Sequence, residues 1–167
     1  NLAEDRDMDP VESEIYAVEL SDLSVRALTS RDGPDYSPVV SPDGKRIAYR
    51  GYDDKVLSYQ QDNLYVMNAD GTASTELAAD FFGSFDQTVW APDGKSLLSL
   101  VGDFGVLSLY RTGLDGKTTR IVTDIGGASI GRPYADGSFS VSGGKKPVVA
   151  YTAGFADRPA EVASIGL

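Results

Sequence analysis

A repeat of about fifty residues constrains this chain more than anything else in it. Val39-Val40-Ser41-Pro42-Asp43-Gly44-Lys45-Arg46-Ile47-Ala48-Tyr49 returns as Val89-Trp90-Ala91-Pro92-Asp93-Gly94-Lys95-Ser96-Leu97-Leu98, with Pro42 and Pro92 fifty positions apart. A worn third copy, Ser140 to Tyr151, has lost the Pro-Asp-Gly but keeps the Ala-Tyr pair as Ala150-Tyr151. A second element interleaves with the first. Glu14-Ile15-Tyr16-Ala17-Val18 matches Asn63-Leu64-Tyr65-Val66-Met67, then Ser108-Leu109-Tyr110-Arg111-Thr112, and more weakly Glu161-Val162-Ala163-Ser164-Ile165. Two aligned elements at one period are the signature of a stacked architecture whose units cannot bury their apolar faces alone.

Each unit reads as four short antiparallel strands, a to d. Strand a holds Ser37 to Val40, and Pro-Asp-Gly-Lys turns it into strand b, Arg46 to Tyr52. Proline early in a turn and glycine after it suit a hairpin with one left-handed residue. Strand c is Asn63 to Asn68, and the Asp70-Gly71 turn leads to strand d, Thr75 to Ala78. Four strands in 40 to 50 residues predict a blade of a β-propeller, so the chain is expected to be all-β. The expected organisation is an acidic loop over 1–12, strands c and d of a first blade over 13–35, blades over 36–79 and 86–123, and a partial blade over 134–167. That is two full blades plus parts of two others, thirteen strands in all. Propellers close with roughly four to eight blades, so this set is expected to stay open and the isolated chain to self-associate.

Connectivity alone ranks the two ends of such blades. The a–b and c–d turns share one end and are short. The b–c and d–a connections share the other, and the sequence makes them long and varied: Asp53 to Asp62, Ser30 to Tyr36, Asp80 to Gln87 and Thr123 to Tyr134. Binding residues concentrate on such loops over a rigid scaffold. The candidate substrate-binding residues are therefore Tyr36, Tyr59, Asp86, Arg132 and Tyr134.

Composition narrows the chemistry. The 167 residues contain no His, and a Ser-His-Asp or Cys-His set needs an imidazole, so no complete catalytic set is expected in this segment. The absence of Cys excludes disulfides and thiolate metal sites. A formal net charge of -10 argues against nucleic acid and anionic membrane partners. No run of about 18 apolar residues is present to span a bilayer. Asp53-Asp54 and the acidic head lack the ordered spacing of a calcium loop, and the Asp-Gly pairs are turn chemistry. Gly126 to Gly131 lacks the lysine and following helix of a phosphate loop. No metal and no cofactor are expected. Ser142-Gly143-Gly144-Lys145 falls on a hairpin turn instead of a helix start, and Trp90 and the strand tyrosines read as core.

The Ser-Pro-Asp-Gly-Lys-x-Ile-Ala-Tyr and Leu-Tyr-Val-Met-Asn-Ala-Asp-Gly-Thr strings resemble the repeats shared by the TolB propellers and the propellers of the prolyl oligopeptidase family, which includes dipeptidyl and acylaminoacyl peptidases. Thr29-Ser30-Arg31-Asp32-Gly33-Pro34-Asp35, Tyr49 to Asp54, Gly131-Arg132-Pro133-Tyr134 and Asp157 to Val162 are more similar to bacterial peptidases of that family. The resemblance implies a parent with a C-terminal α/β-hydrolase domain that carries the catalytic residues. The propeller would cap that domain and admit short peptides. It also implies a periplasmic location, with the cytoplasm as the alternative. The family's paired propeller glutamates find no Glu-Glu match here. A TolB-type protein-binding module without a hydrolase is the alternative function, and a sugar- or metal-binding propeller lectin is a more distant one.

Overall fold

The computed structural model describes residues 11–127 and 137–167. Thirteen strands are found among them, paired in three sheets. Blade I contains β1 (Tyr16–Val18) and β2 (Val25–Ala27). Blade II runs β3 (Asp35–Val40), β4 (Arg46–Gly51), β5 (Asn63–Asn68) and β6 (Thr75–Leu77) in sequential antiparallel order. Blade III repeats this with β7 (Ser84–Trp90), β8 (Ser96–Asp103), β9 (Val106–Gly113) and β10 (Thr118–Ile125). Blade IV has β11 (Phe139–Val141), β12 (Val148–Ala153) and β13 (Glu161–Gly166). The blade III and IV strands are joined in one sheet through β10 and β12. The expected propeller architecture is present, as an open run of blades.

The Pro-Asp-Gly-Lys motif works through local chemistry. Gly44 and Gly94 sit at φ +71° and +65°, and their amides donate to Ser41 O and Ala91 O at 2.9 Å. The preceding Asp43 and Asp93 carboxylates accept from the Lys45 and Lys95 amides at 3.1 and 2.9 Å. A turn with a left-handed glycine and an aspartate folded onto the backbone sets the a–b register in both blades.

Alternation along the strands builds the seams between blades. In blade II, Ile47, Tyr49, Tyr65 and Met67 pack with Ile15 and Leu28 of the blade I region, while Ala48, Leu64 and Val66 face blade III. In blade III, Leu97, Val101 and Tyr110 face blade II, and Leu98, Leu100 and Leu109 face blade IV. A middle blade is thus buried on both faces, which is why its b strand reads as Ser96-Leu97-Leu98-Ser99-Leu100-Val101 without polar alternation.

One equivalent buried position recurs opposite the end of each b strand, filled from the start of the a strand in blades II and III and from the last residue of β10 in blade IV. Asp35 pairs with Gly51, Phe85 with Val101, and Ile125 with Ala153. All three side chains are fully buried. In blades II and III the register then slips by a bulge, between Tyr36 and Val39 and between Phe85 and Thr88. In blade IV β11 pairs with β12 from Phe139 to Val141.

One expectation is corrected. The b–c connections are not uniformly long. Blade II has the long segment between Gly51 and Asn63, but in blade III Asp103 pairs directly with Val106 across Phe104-Gly105. Both turn residues have positive φ, +48° and +83°, the geometry that matches a two-residue hairpin to strand twist. Phenylalanine takes the place of the usual Asn or Asp there, which hid the turn in the sequence.

Candidate functional site

The loop end of the II–III seam gathers a polar cluster around Arg50, at the end of β4. Its Nη1 donates to Phe85 O at 3.0 Å and to the Asp86 carboxylate at 2.9 Å, and its Nη2 donates to Ser37 Oγ at 3.0 Å. The guanidinium lies 5.0 Å from the centre of the Tyr36 ring. Tyr36 in turn donates its phenol proton to Asp62. Burial and the adjoining Asp62 carboxylate both push the Tyr36 hydroxyl well above its ordinary pKa of 10.0. Arg50 spans the seam because strand b of one blade and the a-strand bulge of the next end side by side.

Two of the sequence candidates, Tyr36 and Asp86, are thus brought together at matching bulges. Tyr59 is separate. It lies on the b–c loop and is 77% exposed. Arg132 and Tyr134 lie outside the described residues. Sequence reasoning missed Arg50, Ser37 and Asp62. One signal was available: positions equivalent to Arg50 are Leu100 and Thr152, so a cation there is out of pattern.

A second cluster lies at the loop end of the I–II seam. Arg31 pairs with the buried Asp35 and stacks 3.9 Å from the Tyr65 ring centre, with Tyr49 stacked on Tyr65. Burial pushes the Asp35 carboxyl above its ordinary range despite the opposing pull of Arg31. Gly51 makes this possible: a Cβ there would fall 2.4 Å from Asp35 Oδ1 and 2.8 Å from Arg31 Nη2. This cluster fills the equivalent position that Phe85 and Ile125 fill elsewhere, so its first role is to join blades.

The b–c loop of blade II is tied to itself. Asp54 accepts from the Val56 amide and from Gln60 Nε2, both at 2.7 Å, and Gln60 Oε1 accepts from the Lys55 amide at 2.6 Å. The result is a closed loop that holds Val56 at φ +53° and presents it 91% exposed. Gln61 fixes the base of the loop by donating to Phe81 O at 3.1 Å.

Neither cluster contains a nucleophile beside a base, and the chain has no imidazole. These groups can bind and orient a ligand. Among the described residues no group of three or more acidic side chains is arranged to hold a metal ion.

No family model matches the chain. Over 116 residues, 66% of this chain, it is 34% identical to dipeptidyl-peptidase 5 of Aspergillus fumigatus, of which the match covers 16%. TolB from Acinetobacter baumannii superimposes on 90% of the chain with a TM-score of 0.61 and 21% identity, covering 34% of that structure. The β-propeller domain of the trilobed protease from Pyrococcus furiosus, described as an open velcro topology, superimposes on 90% with a TM-score of 0.59 and 19% identity, covering 40% of that domain. At those identities the structural likenesses establish the propeller fold. The sequence relationship is to the peptidase.

Proposed function

Because the chain is a β-propeller segment homologous to part of dipeptidyl-peptidase 5, we propose that it is the non-catalytic gating propeller of a serine exopeptidase or oligopeptidase. In this reading its partner is an α/β-hydrolase domain of the same parent chain, and the loop end restricts entry to short peptides. The observation that carries the reading is the 34% identity to a peptidase in a segment that has no histidine of its own. The chemistry then belongs to another domain, and this one contributes access and positioning. The TolB-type binding module shares the fold at 21% identity, and no observation favours it over the peptidase reading.

Three measurements test this. A Gly-x-Ser-x-Gly elbow followed by Asp and His in the parent gene would support it, and a parent without one would overturn it. The 167-residue chain alone should hydrolyse no dipeptide p-nitroanilide. In the parent, shortening loop 53–62 to a two-residue Asn-Gly turn should raise hydrolysis of long peptides relative to dipeptides, and unchanged length selectivity would refute gating. The same reading places the parent in the periplasm, which cell fractionation checks. It also has the isolated chain self-associate through the open face of blade IV, where Val148 and Val162 are exposed. Analytical ultracentrifugation reads that directly.

A further inference from the structure

The two ends of the blade stack differ in charge. At the loop end, Asp53, Asp80 and Asp157 are exposed on the connections, and Asp86 and Asp124 are exposed at the loop-end termini of β7 and β10. The cations of that end are few. Arg31 is paired with Asp35, Arg50 with Asp86, and Arg158 lies over the Phe155 ring at 3.5 Å beside Asp157. Lys55 is left on the self-tied loop. At the turn end the exposed Lys45, Lys95, Lys117, Lys145 and Lys146 offset the turn carboxylates Glu19, Asp22, Asp43, Asp70, Asp93 and Asp115. Among the described residues the net negative charge is therefore concentrated at the loop end, where it creates a local field.

The same face carries an independent feature. Val56 and Phe104 are 91% and 95% exposed, and both are held in the left-handed region that bulky side chains avoid. Phe82, on the neighbouring d–a loop, is 85% exposed. Large side chains that project from constrained loop tips are a contact surface, because leaving them in water and straining the backbone both cost stability. Apolar tips on the end that carries a surplus of carboxylates fit a ligand that is cationic and apolar at once.

We propose that the loop end selects short peptides that carry positive charge beside apolar side chains. The inference rests on the gating reading above and adds the substrate class. Electrostatic attraction raises the local concentration of cationic peptides and so their encounter rate, and salt screens it over about 8 Å at physiological ionic strength.

The test uses the 167-residue chain and two dye-labelled tetrapeptides, Lys-Phe-Lys-Phe and Glu-Phe-Glu-Phe, followed by fluorescence anisotropy. At low salt the cationic peptide should bind about tenfold tighter or better, and most of that margin should vanish at 300 mM NaCl. The variant Asp53→Asn/Asp80→Asn/Asp124→Asn/Asp157→Asn should lose the margin. Its far-UV circular dichroism melt reports that it still folds, and it leaves the Arg50–Asp86 pair intact. Lys95→Gln/Lys145→Gln/Lys146→Gln, which makes the whole chain more negative at the other end, should leave the margin unchanged. Val56→Gly/Phe104→Gly, at positions where glycine suits the backbone, should weaken the cationic peptide about fivefold, roughly 1 kcal/mol. Equal binding of the two peptides, or an equal response to the turn-end lysines, would overturn the proposal. In the parent, peptidase activity without a cationic preference would overturn this inference and spare gating. A parent without peptidase activity, with charge selection intact in the chain, would overturn gating alone.

Discussion

The II–III and III–IV seams are built on the same repeat and fastened in different ways. At II–III one backbone bond, Phe85 N to Asp62 O at 3.0 Å, is accompanied by side chains reaching across. Arg50 bonds Phe85 O and Asp86, and Trp90 Nε1 donates to Val39 O at 2.9 Å. Beneath them Phe81, Phe85 and Tyr110 form an aromatic group with ring centres 5.2 to 5.4 Å apart. At III–IV the fastening is chiefly backbone, beside one side-chain bond from Gln87. β10 runs eight residues, and Ile125 at its end pairs with Ala153 of β12, with Gly126 N donating to Thr152 O and Gly154 N to Asp124 O. The packing between is aliphatic, from Leu98, Leu100, Leu109 and Val149 with Phe139. A stacked fold needs its seams dry and continuous, and it leaves open which groups cross them. The seam fastened by side chains is also the one that presents a polar cluster at the loop end, because groups that cross a seam at its rim are available to a ligand as well.

The widest separation between the seams should come from the shared buried position opposite the end of strand b. Phe85→Ala empties the aromatic group and should cost about 3–5 kcal/mol in urea unfolding, whereas Ile125→Ala, at the equivalent site, should cost about 2. Equal losses would mean that the seams do not differ in how tightly they are packed. Next in size is the clasp. Arg50→Gln removes charge-assisted bonds that cross the seam and should cost about 2 kcal/mol. Lysine at the same site should not restore it, since a single ammonium cannot reach Phe85 O, Asp86 and Ser37 together. The III–IV counterpart is Gln87, whose Nε2 donates to Phe139 O at 2.9 Å. Gln87→Ala should cost only about 1 kcal/mol, because one neutral bond is lost and the backbone pairing at Ile125 stays. An Arg50 effect no larger than the Gln87 effect would remove the distinction.

Much of this was legible in the sequence, for a physical reason that also marks its limit. The Pro-Asp-Gly turns and the alternating runs are local: Gly44 needs its positive φ whatever the rest of the chain does, and Leu97 and Leu98 face opposite seams by strand geometry alone. Strand order followed from those two signals. The clasp did not, since Arg50 meets Asp86 across 36 positions and only the stacking of blades brings them together. Tyr36 and Asp86 could be named as loop-end residues, but their common partner could not. The blade III hairpin was missed because Phe104 occupies a turn position where Asn or Gly is the readable signal. The replacement of an apolar residue by Asp35 was invisible until Gly51 was seen to make room for it and Arg31 to pair with it.

The smallest expected effect tests whether the clasp is one unit or several adjacent bonds. Tyr36→Phe keeps the ring beside Arg50 and removes the proton shared with Asp62. Near pH 7 it should cost about 0.5–1 kcal/mol, the range for a single exchanged hydrogen bond. Its pH dependence is more diagnostic. Burial and Asp62 raise the phenol above its unfolded value of 10.0, so the folded state holds this proton more tightly than the unfolded state does. Its contribution is therefore complete below pH 10 and is lost as pH climbs through the raised folded value. Tyr49 and Tyr65 are also pushed up, chiefly by burial, so the wild-type chain should weaken steadily above pH 10 through all three. Tyr36→Phe should flatten that decline without abolishing it. In the Arg50→Gln background the same substitution should cost less at pH 7 if Arg50 holds Tyr36 against Asp62, since coupled residues are non-additive. Full additivity would show that the phenol and the guanidinium fasten the seam independently.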